Sequence, residues 1–403
     1  MNQQKPVKYQ SPNKKALTRL LRNKSAVFGI VIIVIASLIA LLGYAIVPDS
    51  TPDADNQILE LDTKEAGFKV QMLEKRKNRQ VESTNFFEKM FWGAPTAYES
   101  IPINSYQIIN DKIVIDKYTG HAANEQDTLL LADIVYPLQD NGNYKLNGEK
   151  VTFVNLKNEL QNTTVSELKQ KTETQIKSKR YLLGTDKFGR DNLSRLVLGV
   201  RVSLSIGIMA VLISLIIGIF MGAVAGYYRG WVDDLVMWII NVFWSIPLLL
   251  WVFALILAMG NEFWQVYLAV GLTMWVEIAR IVRGQFFSIR EKEFVEAAQS
   301  LGFNDYRIIV KHILPNVLGP LTVITAANFA SAIIIEAGLS FLGIGVQPPA
   351  ASWGIMLNEY YSYVGTSKAF LAFLPGTAIL LLTLAFNLVG NGIRDALDVK
   401  GTG

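Results

Sequence analysis

Long uncharged stretches recur along the chain and dominate its pattern of hydrophobic and polar positions. A helix that crosses the bilayer core needs about 20 predominantly apolar residues, so uncharged stretches of that length indicate membrane spans. Five stretches meet this requirement, and they cover residues 27–47, 202–228, 235–261, 313–335 and 369–393. The pattern therefore predicts five transmembrane helices.

A sixth span is indicated less directly. Residues 263–276 form an apolar run that becomes long enough only if the helix continues through Glu277 and Arg280. The turn signal at residues 259–262 precedes this run, so a helix that returns across the membrane is expected here. We therefore expect six transmembrane helices.

The first span follows a basic stretch, as the hydrophobic region of a cleaved signal peptide does. Its uncharged length exceeds the usual region of about 7–15 residues, and Val47-Pro48-Asp49 offers no small-residue cleavage site. We expect a retained helix, residues 27–47, preceded by an N-terminal segment, residues 1–26.

The basic residues predict the orientation in the membrane, because cytoplasmic loops are enriched in Lys and Arg. Residues 1–26 contain seven basic side chains and no acidic one, and the loop at residues 284–312 is also rich in Lys and Arg. The turn at residues 259–262 has no base. We expect both termini and the 284–312 loop in the cytoplasm, and residues 48–183 outside it.

The segment between the first two spans has the composition of a soluble domain. Residues 49–183 carry 17 basic and 20 acidic side chains. The alternating runs at residues 112–116 and 151–154 predict strands, the Asn147-Gly148 pair predicts a hairpin turn, and residues 164–180 resemble a charged helix. We expect a mixed α/β insertion, which precedes a five-helix core at residues 184–403.

An aromatic stretch, Phe86-Phe87-Glu88-Lys89-Met90-Phe91-Trp92, lies within the insertion. Aromatic rings favour the membrane–water interface, but the same residues suit a buried aromatic cluster, and both interpretations stay open. No pair of carboxylates or histidines in the insertion has catalytic spacing. We expect binding or packing there.

The overall composition excludes several classes of protein. The chain is 51% hydrophobic and 18% charged, and its net charge of +4 is too small to indicate nucleic-acid binding. The absence of cysteine excludes disulfides, thiolate metal sites and cysteine nucleophiles. The chain has no phosphate-binding G-x-x-x-x-G-K-[ST] motif, so we expect any ATP to act on another chain.

The predicted cytoplasmic loop contains a short helix, residues 291–302. Gly302 is the residue type that accepts the left-handed conformation at a helix C-terminus, and Asp305 has the chemistry to cap the next helix. Phe294 and Leu301 have the spacing and polarity to enter an apolar groove of a partner.

Small residues in the same helix, Ala297 and Ala298, would let another backbone approach closely. On these features alone an ordinary amphipathic loop also stays open.

The sequence of this loop resembles the EAA loop of permease subunits of ATP-binding-cassette importers. The resemblance rests on Glu296-Ala297-Ala298, Gly302 and Leu314-Pro315, with the ending His312-Ile313-Leu314-Pro315-Asn316 similar to the peptide-importer branch. Residues 183–204, 336–354 and 385–398 also resemble the C-type permease subunit of dipeptide and oligopeptide importers. The insertion departs from that pattern, in which this segment is generally shorter.

This resemblance implies an α-helical polytopic membrane protein with six transmembrane helices, similar to type I importer permeases. It implies no catalytic residue and no role of His312 beyond packing. The loop would be a coupling helix seated in a cleft of an ATPase subunit, carried by Glu293, Phe294, Glu296, Ala297, Ala298, Leu301, Gly302, Asp305, Leu314 and Pro315.

The resemblance also implies an inner-membrane location and a set of partners. These are a second permease subunit, one or two ATP-binding subunits that carry ATP and Mg²⁺, and an extracytoplasmic substrate-binding protein. No cofactor or metal is expected on this chain. Peptides are the favoured substrate, with nickel or another small solute as the alternative.

Two carboxylates lie within predicted spans, where a charged group is costly and often functional. Glu277 and Glu336 either line the translocation path or serve a structural role by pairing with a residue such as Arg280 or with the partner permease. A series of tryptophans, Trp231 to Trp251, recurs at nearly heptad spacing and suggests packing along one helical face.

Two other classes of membrane protein remain as alternatives. An ion-coupled carrier would transport without an ATPase. A signalling receptor would sense its ligand through the insertion and would lose all function when residues 49–183 were deleted.

Overall fold

The computed structural model describes residues 12–120, 125–139, 144–260 and 262–398. The chain divides into two compact units. The sheet unit consists of Leu41–Leu198 and Thr366–Leu371; the helical unit takes in the described residues up to Ala40, Gly199–Gly365 and those from Ala372 onward.

The helices, numbered in chain order, are α1 (Pro12–Arg22), α2 (Lys24–Leu42), α3 (Phe86–Trp92), α4 (Leu131–Val135), α5 (Val165–Thr174), α6 (Asn192–Tyr228), α7 (Gly230–Trp244), α8 (Leu248–Met259), α9 (Phe263–Arg290), α10 (Glu293–Ser300), α11 (Asp305–Arg307), α12 (Leu314–Phe341), α13 (Trp353–Tyr360) and α14 (Phe370–Leu397). The strands are β1 (Phe68–Arg76), β2 (Tyr98–Ile109), β3 (Lys112–Lys117), β4 (Glu125–Leu130), β5 (Lys145–Asn147), β6 (Lys150–Val154), β7 (Leu160–Thr164) and β8 (Ile176–Tyr181). A π-helical segment, Ile308–Ile313, joins α11 to α12.

Within the described residues, five helices are long and apolar enough to cross a membrane. They are α2 with the turn that follows it, α6, α9, the continuous helix from α11 to α12, and α14. The less direct prediction is confirmed, because α9 continues through Glu277 and Arg280 to Arg290.

The prediction of one continuous helix over residues 235–261 is wrong. Two helices, α7 and α8, occupy this stretch, and they meet at an angle of 89°. The break falls at Ser245-Ile246-Pro247. Proline has no backbone N–H and disfavours a helical residue before it, so the sequence carried this signal although the uncharged length concealed it. The pair counts as a sixth span if its two arms are taken together.

The long helices α6 and α9 approach each other closely along a row of glycines. Gly218, Gly222 and Gly226 recur every fourth residue and therefore share one face of α6. A β-carbon on Gly222 would lie 2.5 Å from the carbonyl oxygen of Ala279, which is below any normal contact. The missing side chains thus allow backbone-to-backbone packing, as small residues do between membrane helices.

The sheet unit contains a five-stranded antiparallel sheet in the order β4-β3-β2-β1-β8 and a three-stranded antiparallel sheet in the order β5-β6-β7. The predicted strands at residues 112–116 and 151–154 are confirmed as β3 and β6. The Asn147-Gly148 pair turns β5 into β6 as expected. Apolar side chains from both sheets and from α4 and α5 share one core.

The predicted helix at residues 164–180 is only half correct. Helix α5 ends at Thr174, and β8 then pairs with β1 through the register Phe68↔Tyr181. Lys177 and Lys179 lie on this strand beside the buried Tyr181. A local pattern of charges does not show that β1, about a hundred residues earlier, offers a free strand edge.

The aromatic stretch of the insertion forms α3, and its rings are not buried. Phe86, Phe87 and Trp92 are 66%, 70% and 71% exposed. The interpretation as a buried aromatic cluster is therefore wrong, whereas the membrane-interface interpretation stays a prediction.

A buried ionic turn precedes α6. The carboxylate of Asp186 accepts a hydrogen bond from Arg190 Nε at 2.6 Å, and the guanidinium of Arg190 also reaches Asp55 at 3.1 Å. The turn closes at Gly189, whose φ is +72° and whose added β-carbon would lie 1.7 Å from the carbonyl oxygen of Ile58. Only glycine fits there.

Candidate functional site

The predicted coupling helix exists as α10 and begins directly after the membrane helix α9. Only Glu291 and Lys292 separate Arg290, the last residue of α9, from Glu293, the first residue of α10. Glu293 and Glu296 both lie in the first turn of α10, where a negative charge interacts favourably with the helix dipole. The helix is thus supported at its start although Lys292 supplies no side-chain cap.

The end of α10 is a Schellman motif built on Gly302. The amide of Phe303 donates to the carbonyl of Ala298 at 3.2 Å, and the amide of Gly302 donates to Gln299 at 2.9 Å. Gly302 has a φ of +76°, as this motif requires of its C′ residue. The predicted end of the helix at Gly302 is confirmed.

One face of α10 packs into the helical unit. Val295 and Ala298 are buried in a core shared with α6, α9, α12 and the π-helical segment, which includes Phe286 and Ile308. Ala298 therefore lies against the chain's own core, and of the alanine pair only Ala297 faces outward.

The exposed surface of the loop displays large apolar groups beside the buried face. Phe294 is 41% exposed, Leu301 is 73% exposed and Tyr306 is 75% exposed. Phe294 and Leu301 were expected on this side, whereas the sequence reasoning assigned no role to Tyr306. An aromatic residue four positions after Gly302 was the signal that would have found it.

Asp305 does not cap the second helix of the loop. The N-cap is Asn304, whose side chain accepts from the amide of Arg307 at 2.9 Å. Asp305 instead accepts a hydrogen bond from the hydroxyl of Tyr227 in α6 at 2.7 Å. The contact ties the loop to the end of a membrane helix.

The residues that lead out of the loop form one continuous helical path. The π-helical segment runs directly into α12, with Leu314 half-buried and Pro315 exposed in its first turn. The ring of His312 stacks on Phe303, with 5.7 Å between the ring centroids. This contact is a packing contact.

Charged side chains of α7, of α9 and of Arg229, which joins α6 to α7, brace the start of the loop, and sequence reasoning missed them. Arg229 donates to the carbonyl of Phe287 at 3.1 Å and pairs with Glu291 at 2.9 Å. Arg283 pairs with Asp233 through both carboxylate oxygens. Charged residues placed at the ends of apolar spans were the available signal.

The carboxylate of Glu336 is fully buried and organises the chain after α12. Its Oε1 accepts from Ser340 at 2.9 Å and from Ser352 at 2.8 Å. Ser352 is also the N-cap of α13. Because Glu336 is buried within the chain and accepts from two serine hydroxyls, the geometry favours its structural role. Its pairing partners among the described residues are serines and not Arg280.

Glu277 is exposed on α9 and faces a cavity of about 550 Å³. The break between α7 and α8 supplies part of the wall, including Trp244, Pro247 and Trp251. The two tryptophans therefore lie on different helices, so the prediction of one helical face for the whole tryptophan series is wrong. Trp231 and Trp238 are exposed on α7.

Comparison with protein families gives two matches, one on either side of most of the insertion. Residues 204–400 match the binding-protein-dependent transport system inner membrane component, and residues 11–60 match the N-terminal transmembrane domain of oligopeptide transport permease C.

Three relatives are similar over slightly more than half of the chain. The glutathione transport system permease protein GsiD of Pectobacterium atrosepticum is 41% identical over 55% of this chain and 74% of its own length. The dipeptide transport system permease protein DppC of Bacillus subtilis is 42% identical over 54% of this chain and 68% of its own. The oligopeptide transport system permease protein OppC of Haemophilus influenzae is 41% identical over 55% and 70%.

Among solved structures, an inward-facing form of the MetNI methionine ABC transporter aligns with 51% of this chain and 96% of its own, at 19% identity and a TM-score of 0.43.

Proposed function

Because the chain belongs to the family of binding-protein-dependent transport system inner membrane components, it is a permease subunit of an ATP-binding-cassette peptide importer, and we propose that α10 couples it to a separate ATPase. The names of the relatives give the substrate class, since they are permeases for glutathione, dipeptides and oligopeptides.

The apolar surface of the loop is the observation that carries this proposal. Phe294, Leu301 and Tyr306 are exposed around a helix whose end is fixed by the Schellman motif. Apolar groups displayed together on a short helix are typical of a surface that docks into a groove of another protein. Glu293, Glu296 and Ala297 lie exposed on the same helix and complete the contact.

The buried face of α10 explains how a movement of the loop would be transmitted to the membrane helices. Val295 and Ala298 are packed into a core shared with α9 and α12, and Asp305 is bonded to α6. A displacement of α10 toward or away from the core therefore has to move these helices with it. Gly302, Leu314 and Pro315 fix where the loop helix stops and where the next membrane helix starts.

The chain itself performs no chemistry in this proposal. One or two ATP-binding subunits bind ATP and Mg²⁺ and close on them. A second permease subunit provides the other half of the path, and an extracytoplasmic protein delivers the peptide. The relatives are components of transport systems, which supports such an assembly.

The orientation follows from the positive charge at the N-terminus and in the loop. Both termini and α10 lie in the cytoplasm, and residues 48–183 lie outside. The absence of cysteine makes this testable, since a single introduced thiol is the only one in the chain. In intact cells, a membrane-impermeant maleimide should label Ser83→Cys in the sheet unit but should reach Thr18→Cys in α1 only after permeabilisation.

The coupling role is tested on the assembled transporter. The chain is co-purified with the products of its neighbouring genes, and ATP hydrolysis is measured with and without peptides. Leu301→Asp places a charge on the docking surface and should abolish the peptide-stimulated hydrolysis, whereas Leu301→Met keeps the surface apolar and should preserve it. Normal stimulation in the Asp variant would exclude α10 as the coupling element.

A further inference from the structure

The cavity beside α9 has the size and shape of a site for a small organic molecule. Its volume of about 550 Å³ lies within the usual range of about 300–1,000 Å³ for ligand pockets. It opens where α7 and α8 are broken by 89°, so that the wall consists of a helix end, a helix start and the side of α9. Broken helices line substrate sites in other membrane transporters.

Glu277 lies within the predicted membrane-spanning part of α9. It lies 14 residues after Phe263 and 13 residues before Arg290, at the middle of the 28-residue helix α9. With a rise of about 1.5 Å per residue, each helix end is about 20 Å away. An ionisable side chain at this depth of a membrane helix normally faces a pathway or a partner charge.

No cation of the described part of the chain pairs with Glu277. Arg280 lies one turn further along α9, but its guanidinium is placed over the ring of Trp244, 3.7 Å from the centroid. The carboxylate therefore faces the cavity without a salt bridge to any residue of the described chain.

Aromatic rings line the cavity together with this carboxylate. Trp251 stacks on Phe243, with 4.7 Å between ring centroids, and its Nε1 donates to the carbonyl of Phe243 at 3.0 Å. Both rings are thus held in place. The faces of aromatic rings attract cations, and a fixed carboxylate does so more strongly. The remaining wall, which includes Ile334 and Met274, is apolar and suits side chains of varied shape.

These features together favour the binding of a molecule that carries an organic ammonium group on an apolar body. We propose that the cavity is a peptide subsite in which Glu277 is the counter-ion of the substrate's α-ammonium group. The inference rests on the proposed function, because it takes the substrate to be a peptide. It goes further by naming the end of the peptide that this subunit recognises and the residue that recognises it.

The test uses a thiol reporter inside the cavity. Ser331 lines the cavity and is exposed, so Ser331→Cys gives the cysteine-free chain a single thiol there. The assembled transporter, reconstituted in proteoliposomes, is treated with a cationic thiosulfonate reagent. A tryptic digest of casein should slow the modification, whereas the same digest after N-acetylation should protect poorly. A Ser83→Cys transporter serves as the control, and the digest should not slow its modification.

Replacement of Glu277 then identifies the recognition group. Glu277→Gln keeps the shape of the side chain and should raise the digest concentration for half-protection about tenfold, as the loss of a hydrogen bond to a charged group implies. Glu277→Asp keeps the charge and should restore most of the protection. The acetylated digest should be insensitive to both changes.

Three results would overturn the subsite. The thiol at position 331 could prove unreactive in the assembled transporter, which would show that the partner permease covers the cavity; the peptides could fail to protect it; or the Gln variant could be protected as well as the parent. A failure of the proposed function has a different signature, because the parent transporter would then show no peptide-stimulated ATP hydrolysis.

Discussion

The backbone conformation at Gly302 provides the sharpest test of the coupling loop. The residue has a φ of +76°, and a β-carbon added to it would meet no atom within 4 Å. Substitution therefore introduces no clash inside the chain and changes only the cost of the left-handed conformation. That cost is about 1–2 kcal/mol for an ordinary side chain, is lower for Asn, and is higher for a β-branched residue.

The expected effects form a graded series. A loss of 1–2 kcal/mol lowers the ratio of formed to unformed helix ends about 5- to 30-fold. Gly302→Asn should therefore couple nearly as well as the parent, Gly302→Ala should couple less well, and Gly302→Val should be largely uncoupled. The quantity to measure is the number of peptides transported per ATP hydrolysed in proteoliposomes.

Gly148 offers a matched control in the sheet unit. Its φ is +64°, and an added β-carbon there also meets nothing within 4 Å. Gly148→Val carries the same backbone penalty at a hairpin far along the chain from the loop and should leave coupling unchanged. If Asn and Val at position 302 impaired coupling equally, the backbone argument would be refuted, because the result would mean that the partner subunit leaves no room for any side chain there.

Three further predictions concern contacts within each unit. Gly189→Ala forces a β-carbon within 1.7 Å of a carbonyl oxygen and should raise amide hydrogen exchange in β1 by an amount equivalent to a loss of about 3 kcal/mol of stability. Gly148→Ala should change the same exchange by the equivalent of only about 1 kcal/mol. Equal effects of the two substitutions would contradict the clash at Gly189. Ser352→Ala removes the N-cap of α13 and a donor to the buried carboxylate of α12, so exchange in α13 should rise by about 1–2 kcal/mol, and unchanged exchange would show that the cap is dispensable. Burial, aided by the hydrogen bond to Asp111, raises the pKa of Tyr144 above its ordinary value of 10. The folded state thus holds this proton more tightly than the unfolded state, so the stabilisation is complete below pH 10 and is lost as the pH rises above it. Tyr144→Phe should flatten the decline of thermal stability above pH 10, and an equally steep decline would reject the assignment.

Predictability differs between features that a short window of sequence determines and features that depend on distant partners. The end of α10 at Gly302 was predictable, because one glycine after a short amphipathic run suffices for a left-handed C′ residue. The spans were predictable because membrane thickness sets their length. The break at Pro247 was overlooked although it is local, since counting uncharged residues ignores proline.

The remaining errors have long-range causes. Strand β8 forms because β1 offers it a pairing edge, and that edge cannot be recognised from residues 176–181 alone. Whether Ala298 faces a partner or the core depends on where α9 and α12 end in space. The burial of Glu336 depends in the same way on Ser352, which is brought to it by the chain that follows α12.

One helix connects the two sites to which the proposals refer. Glu277 and Arg290 are both on α9, about 20 Å apart along an uninterrupted helix, so a movement of the coupling loop is carried to the cavity without a hinge between them. The glycine row of α6 packs against the same helix so closely that α6 and α9 must move together. The opposite cavity wall belongs to α7 and α8, whose hydrogen-bonded ladder is already interrupted at Pro247. Opening and closing of the cavity should therefore arise from displacement of α9 against the broken pair. We expect Pro247→Ala, which permits a continuous helix there, to alter peptide protection of the cavity thiol while leaving the docking of the ATPase intact.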